Sequence, residues 1–131
     1  EVLKKDLHVR EFINSIKSCN ILVHGIGSAL EMARRRGLSS EEVNLLQVRD
    51  AVGETLRYYF DNQGNIVYEV AGVGLELADL EHVEQVIAVA GGSDKAAAID
   101  SVLSNNHQNV LITDEGAAKN ILNRKDDSFG S

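Results

Sequence analysis

The stretch Val86-Ile87-Ala88-Val89-Ala90-Gly91-Gly92-Ser93-Asp94-Lys95, followed by Ala96-Ala97-Ala98-Ile99, decides the fold. Five apolar residues, two glycines, a short polar run and then an alanine-rich run read as a buried strand, a tight turn and a helix. The glycines let the backbone bend sharply and let a ligand approach it closely. A helix that starts there offers unpaired N–H groups and the positive end of its dipole, which suit an anion. Ser93 can cap that helix and also bond a phosphate oxygen, and Lys95 adds a cation one turn in. The corner therefore reads as a phosphate site formed by Gly91, Gly92, Ser93 and Lys95. An ordinary strand-to-helix turn, with Ser93 or Asp94 as a cap and Lys95 solvated, accounts for the same residues.

The pattern occurs twice more. Ile21-Leu22-Val23 runs into His24-Gly25-Ile26-Gly27-Ser28, which opens a helix through Met32 to Arg36 that Gly37 ends. Val110-Leu111-Ile112 precedes Thr113 or Asp114 as the cap of a helix whose inward face is Ala117, Ala118, Ile121 and Leu122. Continuous apolar strands alternating with helices predict an α/β fold, a parallel sheet with helices on both faces. Ligands of such sheets sit off the carboxyl ends of the strands. The turns His24–Ser28, Gly91–Lys95 and Thr113–Glu115 are thus expected at one edge.

Elsewhere, Val9, Phe12, Ile13 and Ile16 predict an amphipathic helix over 5–18. Ser39 with Glu42 three residues on matches a capping box. Tyr58-Tyr59-Phe60, the turn Asp61–Asn65 and Ile66-Val67-Tyr68 suggest a small hairpin, with a helix over 52–60 as the competing assignment. Asp79–Val83 looks like a helical turn. Residues 1–124 form the expected domain and the polar stretch 125–131 a flexible tail.

Composition narrows the function. The net charge is −7 and there is no Trp, so neither a phosphate backbone nor an aromatic stacking platform for nucleic acid is expected in this chain. An anionic membrane surface is disfavoured for the same electrostatic reason. No apolar run reaches membrane-spanning length and no signal peptide is recognisable. The lone Cys19 precludes an internal disulfide, fits a reducing cytoplasm and reads as a structural thiol. The chain begins with Glu rather than Met, and reads as a piece of a longer protein.

Other chemistry is sparse. Gly25 and Gly27 make half a dinucleotide fingerprint without the third glycine, so no nicotinamide cofactor is expected. The four histidines are scattered, without metal-ligand spacing. His24, at a strand end, can reach a ligand hydroxyl or sit as a hydrogen-bonded edge residue. Glu54, after Gly53, can accept bonds from sugar hydroxyls or act as a base, or else be a solvated strand residue. Asp114 and Glu115 suit a helix start better than a carboxylate pair. Arg34, Arg35 and Arg36 read as a charged helix end.

In order along the chain, Val86–Ala96 and then Val110-Leu111-Ile112-Thr113-Asp114-Glu115-Gly116-Ala117-Ala118 resemble the sugar-binding effector domain of SorC/DeoR-type bacterial transcriptional regulators. His24-Gly25-Ile26-Gly27 and Ala51-Val52-Gly53-Glu54 with Tyr58-Tyr59-Phe60 are most similar to its repressors of glycolytic genes. The resemblance spans about residues 8–124. It implies a Rossmann-like fold related to phosphosugar isomerases and deaminases, and a cytoplasmic, non-catalytic sensor. It further implies a phosphorylated sugar effector such as fructose-1,6-bisphosphate, a homo-oligomer, and operator DNA bound through a domain outside this chain. On that resemblance Gly91, Gly92, Ser93 and Lys95 belong to a phosphate corner, Glu54 faces sugar hydroxyls, and His24, Gly25 and Gly27 lie near the same pocket. The family's DNA-binding domain and the first half of its effector domain are not recognisable here, so the site is expected to be incomplete. The alternatives are a sugar-phosphate isomerase or deaminase of the same fold, and a purely structural oligomerisation half-domain.

Overall fold

The computed structural model describes residues 7–130, with side chains up to residue 126. Helix α1 (Leu7–Lys17) leads into β1 (Ile21–Gly25), a short β2 (Gly27–Ser28), α2 (Ala29–Arg36) and α3 (Ser40–Val48). Three further short strands follow, β3 (Gly53–Thr55), β4 (Tyr58–Phe60) and β5 (Ile66–Glu69). A 3-10 helix (Leu77–His82), β6 (Gln85–Val89), a 3-10 turn (Ser93–Lys95), α4 (Ala96–Leu103), β7 (Val110–Ile112) and α5 (Glu115–Gly130) complete the chain. Residues 5 and 6 of the expected first helix lie outside the described residues.

The three apolar strands pair in the order β1-β6-β7, all parallel, with His24 opposite Ala88 and Ala88 opposite Leu111. The expected α/β, Rossmann-like parallel sheet is present, and its three carboxyl ends share one edge. Alternation along the strands sends Leu22, His24, Val86, Ala88 and Leu111 to one face. That face packs on Ile99, Val102, Ala117 and Ile121 from α4 and α5. The other face presents Ile21, Val23, Val89 and Ile112, each exposed.

A second sheet, β2-β3-β4-β5, is antiparallel. The expected hairpin is its β4–β5 pair, and the competing helix over 52–60 does not form. The period-2 geometry of β4 explains three buried residues in a row. Tyr58 and Phe60 join the core of the parallel sheet, while Tyr59 points the opposite way into a second core with Ala29, Ala33 and Leu46. Gly53 lets β3 lie directly on α4, since a Cβ there would come within 2.6 Å of the Ala98 carbonyl oxygen. This contact ties the small sheet to the large one.

Local signals explain most boundaries. The Ser39–Glu42 capping box forms in both directions at α3, and Gly37, left-handed at φ 69°, closes α2. Two expectations need correction. Leu122 is 61% exposed, because the inward stripe of α5 passes through Ala117 and Ile121 and leaves Leu122 about 100° further round the helix. Phe12 is 67% exposed, and α1 reaches the core chiefly through partly buried Ile16.

Candidate functional site

At the carboxyl edge, where the two sheets meet, lies a cleft of about 330 Å³. Of the eight residues singled out from the sequence, His24, Gly25, Gly27, Glu54 and Lys95 line it. The corner after β1 contributes Gly25, Ile26 and Gly27, β3 contributes Glu54 and Thr55, the end of α2 contributes Arg35 and Arg36, and the 3-10 turn after β6 contributes Lys95.

His24 is buried on the inward face of β1. The Thr55 hydroxyl has one proton and donates it to the Gly25 carbonyl at 2.7 Å. The same oxygen therefore receives its 2.8 Å bond from His24 Nδ1, which assigns the imidazole proton to Nδ1 and leaves Nε2 to accept from the Gln108 side-chain amide at 3.4 Å. Burial lowers the His24 pKa, partly offset by the Gly25 carbonyl, so the ring is held neutral.

Glu54 is only 3% exposed. Its Oε1 receives Arg36 Nη2 at 2.9 Å and the Arg57 backbone N–H at 3.1 Å. The second bond matters because Leu56 and Arg57 both adopt positive φ, 50° and 79°, in the two-residue turn between β3 and β4. Asn-Gly is the usual solution there, and a Leu-Arg pair is strained. Glu54 pins the turn from one side, and the Arg57 guanidinium pins it from the other by donating to Val70 O at 2.8 Å.

Arg36 corrects the reading of residues 34–36 as merely a charged helix end. Its position on the last turn of α2 brings it against Glu54 inside the cleft. The signal was available as a cation cluster closing a helix that starts at a glycine corner. Arg35 lines the same wall but is already bridged to Glu31 at 3.0 Å, one turn back. Lys95 makes no ion pair among the described residues, so it is the lining cation whose charge is uncommitted.

Gly91, Gly92 and Ser93 stand outside that lining. Asp114 Oδ2 accepts the Gly92 N–H at 2.7 Å, while Oδ1 accepts the Ala117 N–H at 2.8 Å. These two bonds hold the Asp114 carboxyl below the usual aspartate pKa. The α-helix does not begin at Ser93 either, although a 3-10 helix does. Gly92 sits at φ 110°, a 3-10 turn follows, and α4 starts only at Ala96 with no side-chain cap from Ser93. The reading of Asp114 as satisfying a helix start holds, with the addition that it reaches back to the glycine corner.

A family model described as "Putative sugar-binding domain" matches residues 1–123. The chain belongs to this sugar-binding domain family of SorC/DeoR-type regulators. It is 46% identical over 114 residues to the central glycolytic genes regulator of Bacillus subtilis, covering 87% of this chain and 34% of that protein. It is 35% identical over 127 residues to the deoxyribonucleoside regulator of Bacillus subtilis, covering 93% of this chain and 41% of that protein. Among solved structures, a "putative SorC family transcriptional regulator" from Enterococcus faecalis superposes with a TM-score of 0.87 at 41% identity, covering 92% of this chain and 49% of that one. The sugar-binding domain chain thus spans 34% of the first curated relative and 49% of the solved neighbour. Among the described residues no helix is long and apolar enough to cross a membrane.

Proposed function

We propose that this sugar-binding domain is the effector-sensing part of a cytoplasmic, DNA-binding repressor of glycolytic genes, and that its effector is a phosphorylated sugar such as fructose-1,6-bisphosphate. The observation that carries the reading is the uncommitted Lys95 ammonium, lining the same cleft as the Glu54–Arg36 pair. A phosphate meets Lys95 as a point charge, Glu54 offers an acceptor to sugar hydroxyls, and His24, tied to Thr55 and Gln108, shapes the wall of the same cleft. Gly25 allows close approach to the backbone, Gly27 makes room for the Met32 side chain that lines the same cleft, and Gly91, Gly92 and Ser93 contribute by shaping the turn that carries Lys95. The name of the central glycolytic genes regulator supports glycolytic control; operator DNA held through another domain and assembly as a homo-oligomer complete the proposal. The domain acts as a sensor and not as an enzyme: Glu54 is already bound to a guanidinium and a backbone amide, an arrangement that positions an acceptor rather than one that moves a proton.

The test is a melting-temperature screen of sugar phosphates on the full-length protein, with Lys95→Ala in parallel. A ligand that binds only the folded state at about a hundred times its Kd stabilises by about 2.7 kcal/mol. Fructose-1,6-bisphosphate is expected to give the largest upward shift and Lys95→Ala to diminish it. An equal shift in the variant removes Lys95 from the site, and turnover of any sugar phosphate in the same samples overturns the sensor reading.

A further inference from the structure

The turn that presents Lys95 is held from outside itself. Asp114, just ahead of α5, and two residues of α5 hold residues 92 and 93. Asp114 accepts the Gly92 N–H, Asn120 Nδ2 donates to the Ser93 carbonyl at 2.8 Å, and a Cβ at Gly116 would stand 3.3 Å from Ser93 Cβ. The Lys95 N–H then donates to the Gly92 carbonyl at 3.0 Å and closes the turn. Gly92, at φ 110°, has a conformation open to glycine alone, so its own dihedral preference does not select this geometry over others. The Asp114 carboxylate does select it, because its two oxygens are divided between the corner and the first turn of α5.

We propose that Asp114 is a positioning residue for the phosphorylated ligand. Its carboxylate takes the Gly92 amide that a ligand phosphate would otherwise take, and in doing so aims the 93–95 turn so that Lys95 enters the cleft. Asp114 touches no ligand; it acts through Lys95. This rests on the reading of Lys95 as the phosphate contact.

The experiment is a double-mutant cycle on the full-length protein, with fructose-1,6-bisphosphate titrated into wild type, Asp114→Ala, Lys95→Ala and the double variant by calorimetry. Amide hydrogen exchange of residues 92–95 is followed without ligand. Asp114→Ala is expected to weaken binding about ten-fold, to weaken it no further in the Lys95→Ala background, and to speed exchange at the turn. Purely structural damage at α5 would lower affinity equally in both backgrounds. Such additive losses, or unchanged exchange at 92–95, overturn the proposal while leaving the sensor reading intact. Absence of binding by wild type sinks the sensor reading and this proposal together. If Asp114→Ala does not fold, Asp114→Asn, which keeps one acceptor for the Ala117 amide, carries the same cycle with the same criteria.

Discussion

Two glycine corners stand at the carboxyl edge of the parallel sheet, and their first glycines, Gly25 and Gly91, are used in opposite ways, while Gly27 makes room for the Met32 side chain. At the corner after β1, the nearest atom to a Cβ built on Gly25 is the Val89 carbonyl oxygen at 3.9 Å, so the space beside that backbone is open. At the corner after β6, a Cβ on Gly91 would meet Asp114 Oδ2 at 2.7 Å, so the space is filled by the protein's own carboxylate. Glycine signals that something comes close to the backbone. Whether that something is a ligand or an internal side chain depends on a residue more than twenty positions away. The filled corner spends its anion, Asp114, on backbone amides, whereas the cleft beside Gly25 pairs its anion, Glu54, with Arg36 and leaves Lys95 without an ion pair among the described residues.

The strongest way to break this contrast is to remove the anion beside the open corner. Glu54→Ala strips Oε1 from both Arg36 and the strained Arg57 turn, leaving a partly exposed guanidinium and a turn amide without their partner. The loss is expected to be about 2–3 kcal/mol, somewhat under the usual figure for a buried pair because the Arg36 side chain keeps 30% exposure. Denaturant unfolding measures it. A cost below about 0.5 kcal/mol would mean that the turn at Leu56–Arg57 is held without Glu54.

The paired substitutions Gly91→Ala and Gly25→Ala sharpen the contrast directly. At Gly91 the new methyl displaces the Asp114 carboxylate, a flexible end that can yield, and the expected cost is about 1 kcal/mol, roughly 3–5 °C of melting temperature for a chain of this size. At Gly25 the methyl finds room, and stability is expected to change by no more than about 0.5 kcal/mol. Melting curves of the two variants side by side decide the matter, and equal losses would erase the distinction between the corners.

The strands at 21, 85 and 110, their parallel pairing and the edge that gathers their turns were all readable from apolar runs and glycine punctuation, because burial and backbone freedom are properties of short stretches. The hairpin was readable from its aromatics and turn residues for the same reason. Three things were not. Asp114 looked like a helix cap, which it is, but its second bond to Gly92 depends on how two βα units pack. Arg36 looked like a favourable charge at a helix end, and only the position of β3 under α2 turns it towards Glu54. The Leu56–Arg57 turn lacked the Asn-Gly signal, because Arg57 donates its amide to Glu54, three residues back, and its guanidinium to Val70 on the far side of the hairpin, and these bonds hold a conformation that the two turn residues disfavour.

His24 gives a subtler test of the open corner, through pH. Its folded-state pKa is lowered by burial, so between its unfolded and folded values the unfolded chain binds more protons. Stability therefore rises with pH across that interval. The contribution is fully present above the unfolded value, near pH 6.5, and is lost as the solution is acidified below it. Melting temperature of wild type is expected to fall between about pH 7 and pH 5, and His24→Gln, which has no titrating ring, to flatten that part of the profile. An identical slope in the variant would show that the ring titrates as it does in the unfolded chain.

The smallest effect expected is at Tyr59, behind the same corner. The residue is fully buried in the core of α2 and α3, yet its hydroxyl has no hydrogen-bond partner among the described residues. Burial, with the negative charge of Glu54 next in weight, raises its pKa, so the group stays neutral. A buried hydroxyl without a partner costs the free energy of its lost hydration. Tyr59→Phe removes that cost, along with a little packing volume, and is expected to leave stability within about 0.5 kcal/mol of wild type or to raise it. A loss of more than about 1 kcal/mol on unfolding would reveal a hydrogen bond to that hydroxyl. The polar network of the open corner would then extend from Glu54 and Arg36 into the second core, making the two corners more different than their lining residues alone suggest.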